Sequence, residues 1–599
     1  MSMSSLEISS TEDSASNGGS MWQRHRSTIL TAILFVILIA TGLFSLLVYM
    51  LLRYLWLRLV RDPFLSPTDN FPSACWEMFT TCPPNSKRTL PTIVFFLGFG
   101  FAMLGDIRAK TAGYNSVQPD WLLYLSYQAF GSLVVLICAV WFLDALYLIS
   151  LFCVGDSGEA LGWWYRRRLN GYYKTNKGYT RVSSGGYSDV AQQEDNSDDG
   201  NLEADGEDGE DDDMEQEREK AKYLDENRRE AKQRLVLIIV FYAIWTGLSA
   251  YSAYNPKLVK FTIPVPKLPA ACDGYKLAMA SDLHLGSMSG AEEANFMVQK
   301  LNALKPDGIA LVGDIGDQTV NDALKQKLAP LANLKAKDGV FYTFGNHENY
   351  RHVEDYRQLF RHESPLKDNI VLLENEHTIL SKGGADGCEI VLLGMADWSG
   401  FGTVRKKREG QVEPNLTQAL HTTPGPDGTS IHVEEAPSGE LLPMIMMQHQ
   451  PKNMTGAAEF GVGLQLSGHT HGGQLWPQHF VLFIYDAISG LWEYDVGKKY
   501  GPSYLFVSEG IVGYGPRLRF LSKTDYALLT LRSPAFMKAE GLEPDTHITY
   551  ATIAMYCAWV LVPISLLACM VPCCCWAKNG CKTYQPTLGR SAGEGTQLV

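Results

Sequence analysis

Three things are scarce in this chain of 599 residues. Of its 12 cysteines, only Cys272 and Cys388 fall between residues 256 and 546. Two thiols allow one disulfide there and exclude a small domain stapled by a disulfide framework. Positive charge is also short: 52 Lys and Arg against 65 Asp and Glu give a formal charge of -13. That excludes the basic footprint by which proteins grip nucleic acid. Finally, the pattern GxxxxGK[ST] occurs nowhere, which argues against kinase or ATPase chemistry of the P-loop kind.

What the chain has in quantity is long apolar runs. They fall at 28–52, 90–105, 121–154, 235–254 and 549–571, and Asp144 lies inside the third. About 20 apolar residues cross a bilayer core as a helix, and the second run is short for that. A polar, Ser-rich segment precedes the first, which is too long for a cleaved secretory signal. The expected organisation is therefore a multi-pass membrane protein. A disordered N-terminus (1–27) leads into three transmembrane helices within 28–154. A cytoplasmic loop with an acidic disordered tract follows (155–234), then a transmembrane helix (235–254). A folded block occupies 260–535, before a last transmembrane helix (549–571) and a Cys-rich cytoplasmic tail (572–599). The acids of 194–217 repel one another and offer nothing to bury.

Basic flanks orient such spans. Arg53, Arg58, Arg61, Lys87 and Arg88 mark one cytoplasmic loop, and Arg166–Arg168 with Arg228, Arg229 and Arg234 mark another. The folded block then lies outside or in a lumen, against the pull of Arg24 and Arg26. The glycosylation tripeptides at Asn415 and Asn453 agree, each weakly. Cys573, Cys574 and Cys575 suit S-palmitoylation, or are simply reduced thiols. Asp144 keeps a second reading open, a multi-span transporter or receptor with a regulatory metal-binding domain.

Within 260–535 the pattern changes to short apolar runs between polar loops. "KLAMASD", "GIALVGD" and "GVFYTFGN" read as strands, with "AEEANFMVQKLNALK" and "VNDALKQKLAPLANLK" as helices between them. This is βαβαβ alternation, a sheet with helices on its faces. "EIVLLGMAD", "LPMIMMQHQ" and "GLQLSGH" read as three further strands, and 400–440 as a Gly- and Pro-rich surface insertion. Nearly every strand ends in polar residues: Asp282 and His284, Asp314 and Asp317, Asn346 with His347 and Glu348, Asp397, His449, then His469 and His471. Ligands of open α/β sheets collect beyond the carboxyl ends of strands, so these groups are expected at one edge of one sheet. Carboxylates mixed with imidazoles suit Mn, Fe or Zn rather than calcium. The donors exceed what one metal needs, so two metals with a bridging carboxylate are expected. Asp282 and His284 alternate on an extended backbone and reach one metal only if the strand end bends.

The ordered set DxH, GDxxD, GNHE, a His before "QP", and GHTH resembles the calcineurin-like metallophosphoesterase superfamily. "SDLHLG", "LVGDIGDQ", "GNHENY" and "LSGHTHGGQ" are most similar to its YkuE-like branch, which includes transmembrane proteins with a metallophosphoesterase domain. The resemblance covers about 275–531 and implies an α/β sheet sandwich flanked by helices, with transmembrane helices before and after it. It also implies ligands. Asp282, His284 and His471 would hold one metal, and Asn346, His449 and His469 the other. Asp314 would bridge them, and His347 would face the leaving group without binding metal. The implied activity is hydrolysis of a phosphomonoester or phosphodiester, with the metals activating a water. The substrate is open, with a phospholipid or nucleotide-linked lipid suggested by the membrane runs.

Overall fold

The computed structural model describes residues 127–140, 172–175, 178–181, 207–380, 387–400, 410–433, 442–476, 478–495, 501–543 and 552–557, with the single positions 55, 59, 97, 125, 143, 437 and 549. The apolar runs 28–52 and 90–105, Asp144, and most of the run 549–571 lie outside them. Contacts divide the chain into two compact units, one of Met1–Gly98 and Ala139–Val240 and one of Phe99–Cys138 and Phe241–Val599. Described parts of the first are an antiparallel hairpin, Tyr172–Thr175 with Gly178–Arg181, and most of a long helix.

The multi-pass expectation is corrected. Among the described residues a single helix is long and apolar enough to cross a membrane, Glu217–Tyr254, which supports at most one span and not helices on both sides of the folded block. The run 121–154 contributes a short apolar helix, α1 (Tyr127–Val140). The spanning stretch belongs to α2 (Glu207–Tyr254). The acidic tract, expected to be wholly unstructured, enters this helix at Glu207. Acids at a helix N-terminus are favoured by the backbone dipole, which offsets their repulsion.

The second unit holds two six-stranded sheets, where the strand ends alone suggested one sheet and the family resemblance a sandwich. The first runs β1 (Lys257–Pro264), β12 (Asp525–Arg532), β2 (Lys276–Ala280), β3 (Gly308–Val312), β4 (Val340–Thr343), β5 (Ile370–Leu372). Strands β2 to β5 are parallel, and β12 joins them antiparallel to β2. The second runs β10 (Gly490–Tyr494), β11 (Ser503–Val507), β9 (Val462–Ser467), β8 (Met444–Met447), β7 (Ile390–Gly394), β6 (Glu376–Leu380). Its four central strands are parallel and its edge strands antiparallel.

Each sheet gives one face to a shared core. Leu277, Met279, Val312 and Phe341 of the first pack with Leu392, Met447, Leu466 and Phe506 of the second. The outer face of the first sheet is covered by α3 (Ala291–Ala303), α4 (Asp322–Leu328) and α5 (Val353–His362), which bury Met297, Leu301, Leu324, Leu328, Tyr356 and Phe360. Strands buried on both faces read as unbroken apolar runs, which is why GIALV and MIMM show no alternation. The helix expected over "VNDALKQKLAPLANLK" stops at Leu328 and continues as the 3-10 turn Ala329–Asn333. Pro330 has no N–H to give and ends the α-helix there. The insertion at 400–440 holds a one-turn helix, Leu416–Leu420, and a hairpin, Thr422–Pro424 with Ser430–His432.

Candidate metal centre

The parallel strands of both sheets end at the same place. Two links across that edge join them: His449 Nδ1 to the Val312 carbonyl at 2.8 Å, and Thr343 Oγ1 to the Met395 carbonyl at 2.6 Å. Asp282, Asp314 and Asn346 follow strands of the first sheet; Asp397, His449 and His469 follow strands of the second.

The backbone beyond each strand turns sharply. Asp282, His284, Asp314, His469 and His471 all have positive φ, between 46° and 70°. Left-handed backbone is costly for residues with a Cβ and gathers at functional sites. The bend at Asp282 and at His284 is what lets both side chains face one point. Gly313 (φ 78°) and Gly345 allow the close approach: a Cβ at Gly313 would lie 2.3 Å from His449 Nδ1, and one at Gly345 would lie 2.1 Å from Asp314 Oδ1.

The side chains then form three overlapping clusters: Asp282, His284 and His471; His284, Asp314 and His347; Asp314, His449 and His469. His284 Nε2 lies 3.3 Å from His471 Nε2, and both face Asp282 Oδ1, at 3.8 Å and 3.5 Å. On the other side, His449 Nε2 lies 3.1 Å from Asp314 Oδ2, which is also 3.8 Å from His284 Nε2. Asp314 therefore stands between the two groups. Asn346 Oδ1 is buried with no hydrogen-bond partner. A buried orphan acceptor beside a convergence of carboxylates and imidazoles is costly unless a cation satisfies it. The donor set thus fits two divalent ions.

Charge in the cluster is arranged for the same purpose. Burial opposes ionisation of Asp314, yet His449, His347 and His284 hold its carboxyl well below the usual range. Asp282, equally buried, is lowered by His471, His284 and His449. Burial drives His471 well below the ordinary imidazole value and takes His469 down to about 3, so both offer neutral nitrogens. Burial would lower His449 too, but Asp314 and Asp282 draw a proton to it. A cation held by the same two carboxylates displaces that proton.

His347 joins this convergence from the turn after β4 and has a carboxylate partner of its own. Its N–H donates to Asp314 Oδ1 at 2.8 Å, its Nδ1 is 2.5 Å from Asp317 Oδ1, and its Nε2 is 4.0 Å from Asp314 Oδ2. Burial works against its charge, but Asp317 and Asp314 raise its pKa to about 9.

Several groups here carried no signal in the sequence. Ser281 Oγ donates to Asp282 Oδ2 at 2.6 Å. Glu348, legible only as an acid at a helix start, accepts from the backbone N–H of Asp314, Ile315, Gly316 and Gly345 at 2.7 to 3.1 Å. It ties two of the turns together. Tyr485 Oη lies 2.7 Å from His469 Nε2, which leaves Nδ1 of that ring as the nitrogen free to face a cation. The ring of Tyr514 lies 4.9 Å from that of His347. Asp397 is engaged away from the ligand groups. It accepts from Gln450 Nε2 at 3.0 Å and from the Ser399 N–H at 2.7 Å, and burial raises its pKa.

Residues 275–473 match the calcineurin-like phosphoesterase family. A bovine transmembrane protein with metallophosphoesterase domain is 29% identical over 318 residues, 52% of this chain and 65% of its own length. The zebrafish protein of the same description is 29% identical over 310 residues, 50% of this chain and 63% of its own. YkuE of Bacillus subtilis, an uncharacterized metallophosphoesterase, is 26% identical over 293 residues, 48% of this chain and 91% of its own. The chain thus spans less than two thirds of the length of these vertebrate relatives. Identity to YkuE is no higher than to the others, so the YkuE-like branch expected from the motifs is not singled out. Residues 275–473 thus match a calcineurin-like metallophosphoesterase domain, and their clustered Asp and His residues are consistent with a metal-dependent hydrolase site.

Proposed function

We propose that this chain hydrolyses phosphomonoesters or phosphodiesters at a dinuclear metal centre anchored by α2. One observation carries the reading: two of the clusters share Asp314, one with His284 and one with His449 and His469, and Asn346 beyond the neighbouring strand has a buried oxygen with no partner. Asp282, His284 and His471 would hold one ion and Asn346, His449 and His469 the second, with Asp314 available to both. Mn, Fe or Zn suits these donors. When bound, the ions lower the pKa of water enough to supply a nucleophile at neutral pH and neutralise phosphoryl oxygens.

The chain's own residues do the rest. Glu348 fixes the turns carrying Asp314 and Asn346, so the ligands are held before substrate arrives. His347, kept protonated by Asp317, donates to the departing alkoxide oxygen from Nε2. No serine or cysteine nucleophile is required. The ligand set fixes the reaction and not the alcohol: an ester on a lipid and one on a soluble molecule present the same phosphoryl oxygens.

The test pairs metal analysis with turnover of p-nitrophenyl phosphate and bis(p-nitrophenyl) phosphate. The intact chain is expected to carry two transition metals and to turn over at least one ester. Asp314→Asn is expected to lose metal and to fall by at least about a hundredfold in kcat. Equal rates for the two proteins would refute the proposal.

A further inference from the structure

Three separate stretches of chain meet the phosphoesterase domain at one place, beside the metal-binding turn His469–Gln474. The end of α2 is the first. The Ser249 carbonyl accepts from the Arg519 N–H at 3.0 Å, and the Ser252 carbonyl accepts from Thr524 Oγ1 at 2.7 Å. The ring of Trp245 stands edge-on to Phe520, with centroids 4.9 Å apart. From α1, Cys138 Sγ lies 3.3 Å from the Trp476 carbonyl, and Tyr127 meets Tyr514 edge-on at 6.4 Å. The third stretch begins at Thr549, whose hydroxyl shares a hydrogen bond with that of Ser489.

Every one of these contacts lies one step from the site. Arg519 Nη1 donates to the His471 carbonyl. The Gln474 carbonyl accepts from the Phe520 N–H at 2.8 Å and from Ser522 Oγ at 2.9 Å. Thr470 Oγ1 donates to the carbonyl of Ile488, the neighbour of Ser489, at 2.6 Å. The membrane-type helix is therefore clamped to the turn that carries two ligands, with only Asn255 and Pro256 between α2 and β1. The domain has no linker on which to swing clear. Ser249 precedes the last residue of α2 by five positions, about 7.5 Å along the axis at roughly 1.5 Å per residue, which sets the clamp at the final turns of the helix.

Apolar side chains stand exposed beside residues that touch the site: Ile484, next to Tyr485, is 58% exposed, and Leu521, next to Phe520, is 41% exposed. The same end of α2 exposes Leu248 and Tyr251. Exposed apolar groups near the end of a spanning helix suit a bilayer rather than water.

We infer that the substrate is a lipid-borne phosphoester, taken from the bilayer that α2 enters. Its phosphate reaches the metals at headgroup depth while its acyl chains stay beside α2. Water attacks phosphorus and the P–O bond to the leaving alcohol breaks; His347 supplies the proton that the alcohol oxygen gains. The inference rests on the phosphoesterase reading above.

The test uses the full chain, loaded with Mn, in vesicles of a total phospholipid extract. The comparison substrate is the same extract after removal of its acyl chains, which leaves the headgroup phosphoesters free in solution. Release of phosphate or headgroup is expected to be about a hundredfold more efficient in kcat/KM from the bilayer. Ile484→Asp with Leu521→Asp, both at exposed positions, is expected to lower lipid turnover about tenfold while leaving bis(p-nitrophenyl) phosphate turnover within about twofold. Turnover of bis(p-nitrophenyl) phosphate with equal or better use of the deacylated esters would overturn this inference and leave the phosphoesterase reading standing. A parallel fall on both substrates in the double variant would also overturn it. Failure on every ester, with metal bound, would end both.

Discussion

His347 Nδ1 lies 2.5 Å from Asp317 Oδ1, so the imidazole proposed as the general acid is oriented by a dedicated carboxylate. Burial opposes ionisation of that carboxylate, but His347 first, then His284 and Arg351, whose Nη2 lies 3.6 Å from the same oxygen, hold its pKa below the usual range. His347→Gln is expected to lower kcat by about 10² to 10⁴, the range for losing a general acid, while metal content stays at two ions. Loss of metal in that variant would make His347 structural.

The pH dependence follows from the same pair. Burial lowers the His347 pKa and Asp317 and Asp314 raise it, for a net value of about 9 against an ordinary 6.5. A raised folded-state value means the proton is held below about pH 9 and lost as pH rises through it. Stability from the pair is fully present below about 6.5 and fades through about 9. The kcat/KM profile is expected to fall on its alkaline side near that value. In Asp317→Asn the alkaline limb should move toward lower pH. An unmoved limb would assign it to another group.

Glu348 is expected to matter more for assembly than for chemistry. Its carboxylate takes four backbone N–H groups from the turns after β3 and β4. Glu348→Ala leaves those donors buried, at about 1 to 3 kcal/mol for each one unsatisfied. Chemical denaturation should show a clear loss of stability, and metal titration a weaker affinity. A variant as stable as the parent would show that the turns hold themselves.

The Cys272–Cys388 disulfide closes a loop with a sequence separation of 116 and joins the chain beside β2 to the chain before β7, one sheet to the other. Replacing both cysteines by serine is expected to cost about 2 to 5 kcal/mol, read as a lower denaturation midpoint without loss of bound metal. No change in midpoint would mean that the inter-sheet core alone sets the stability.

Much of the site is legible in the sequence because its ligands sit directly after short apolar strands, where spacing and residue type both show. The division into two sheets is legible in the family resemblance but not in the strand pattern. Runs such as GIALV and MIMM are apolar on both faces and carry no mark of which sheet they join. The multi-pass reading is corrected because apolar length is a property of sequence, and among the described residues only Glu217–Tyr254 forms a helix long and apolar enough to span. Tyr485, Tyr514 and Arg519 were missed because each is a single loop residue brought to the site by a distant fold contact, with no spacing to announce it. Asp317 was seen, but its partner His347 belongs to another motif, and only the fold joins them.

The central claim is that seven side chains hold two neighbouring cations with Asp314 between them. Anomalous diffraction at the manganese edge, from crystals of the intact chain grown with Mn, tests it most directly. Two peaks about 3.5 to 4 Å apart are expected, both touching Asp314, one also bound by Asp282, His284 and His471 and the other by Asn346, His449 and His469. A well-ordered domain with no peak at these residues, or with one peak that leaves Asn346 unbound, would contradict the account.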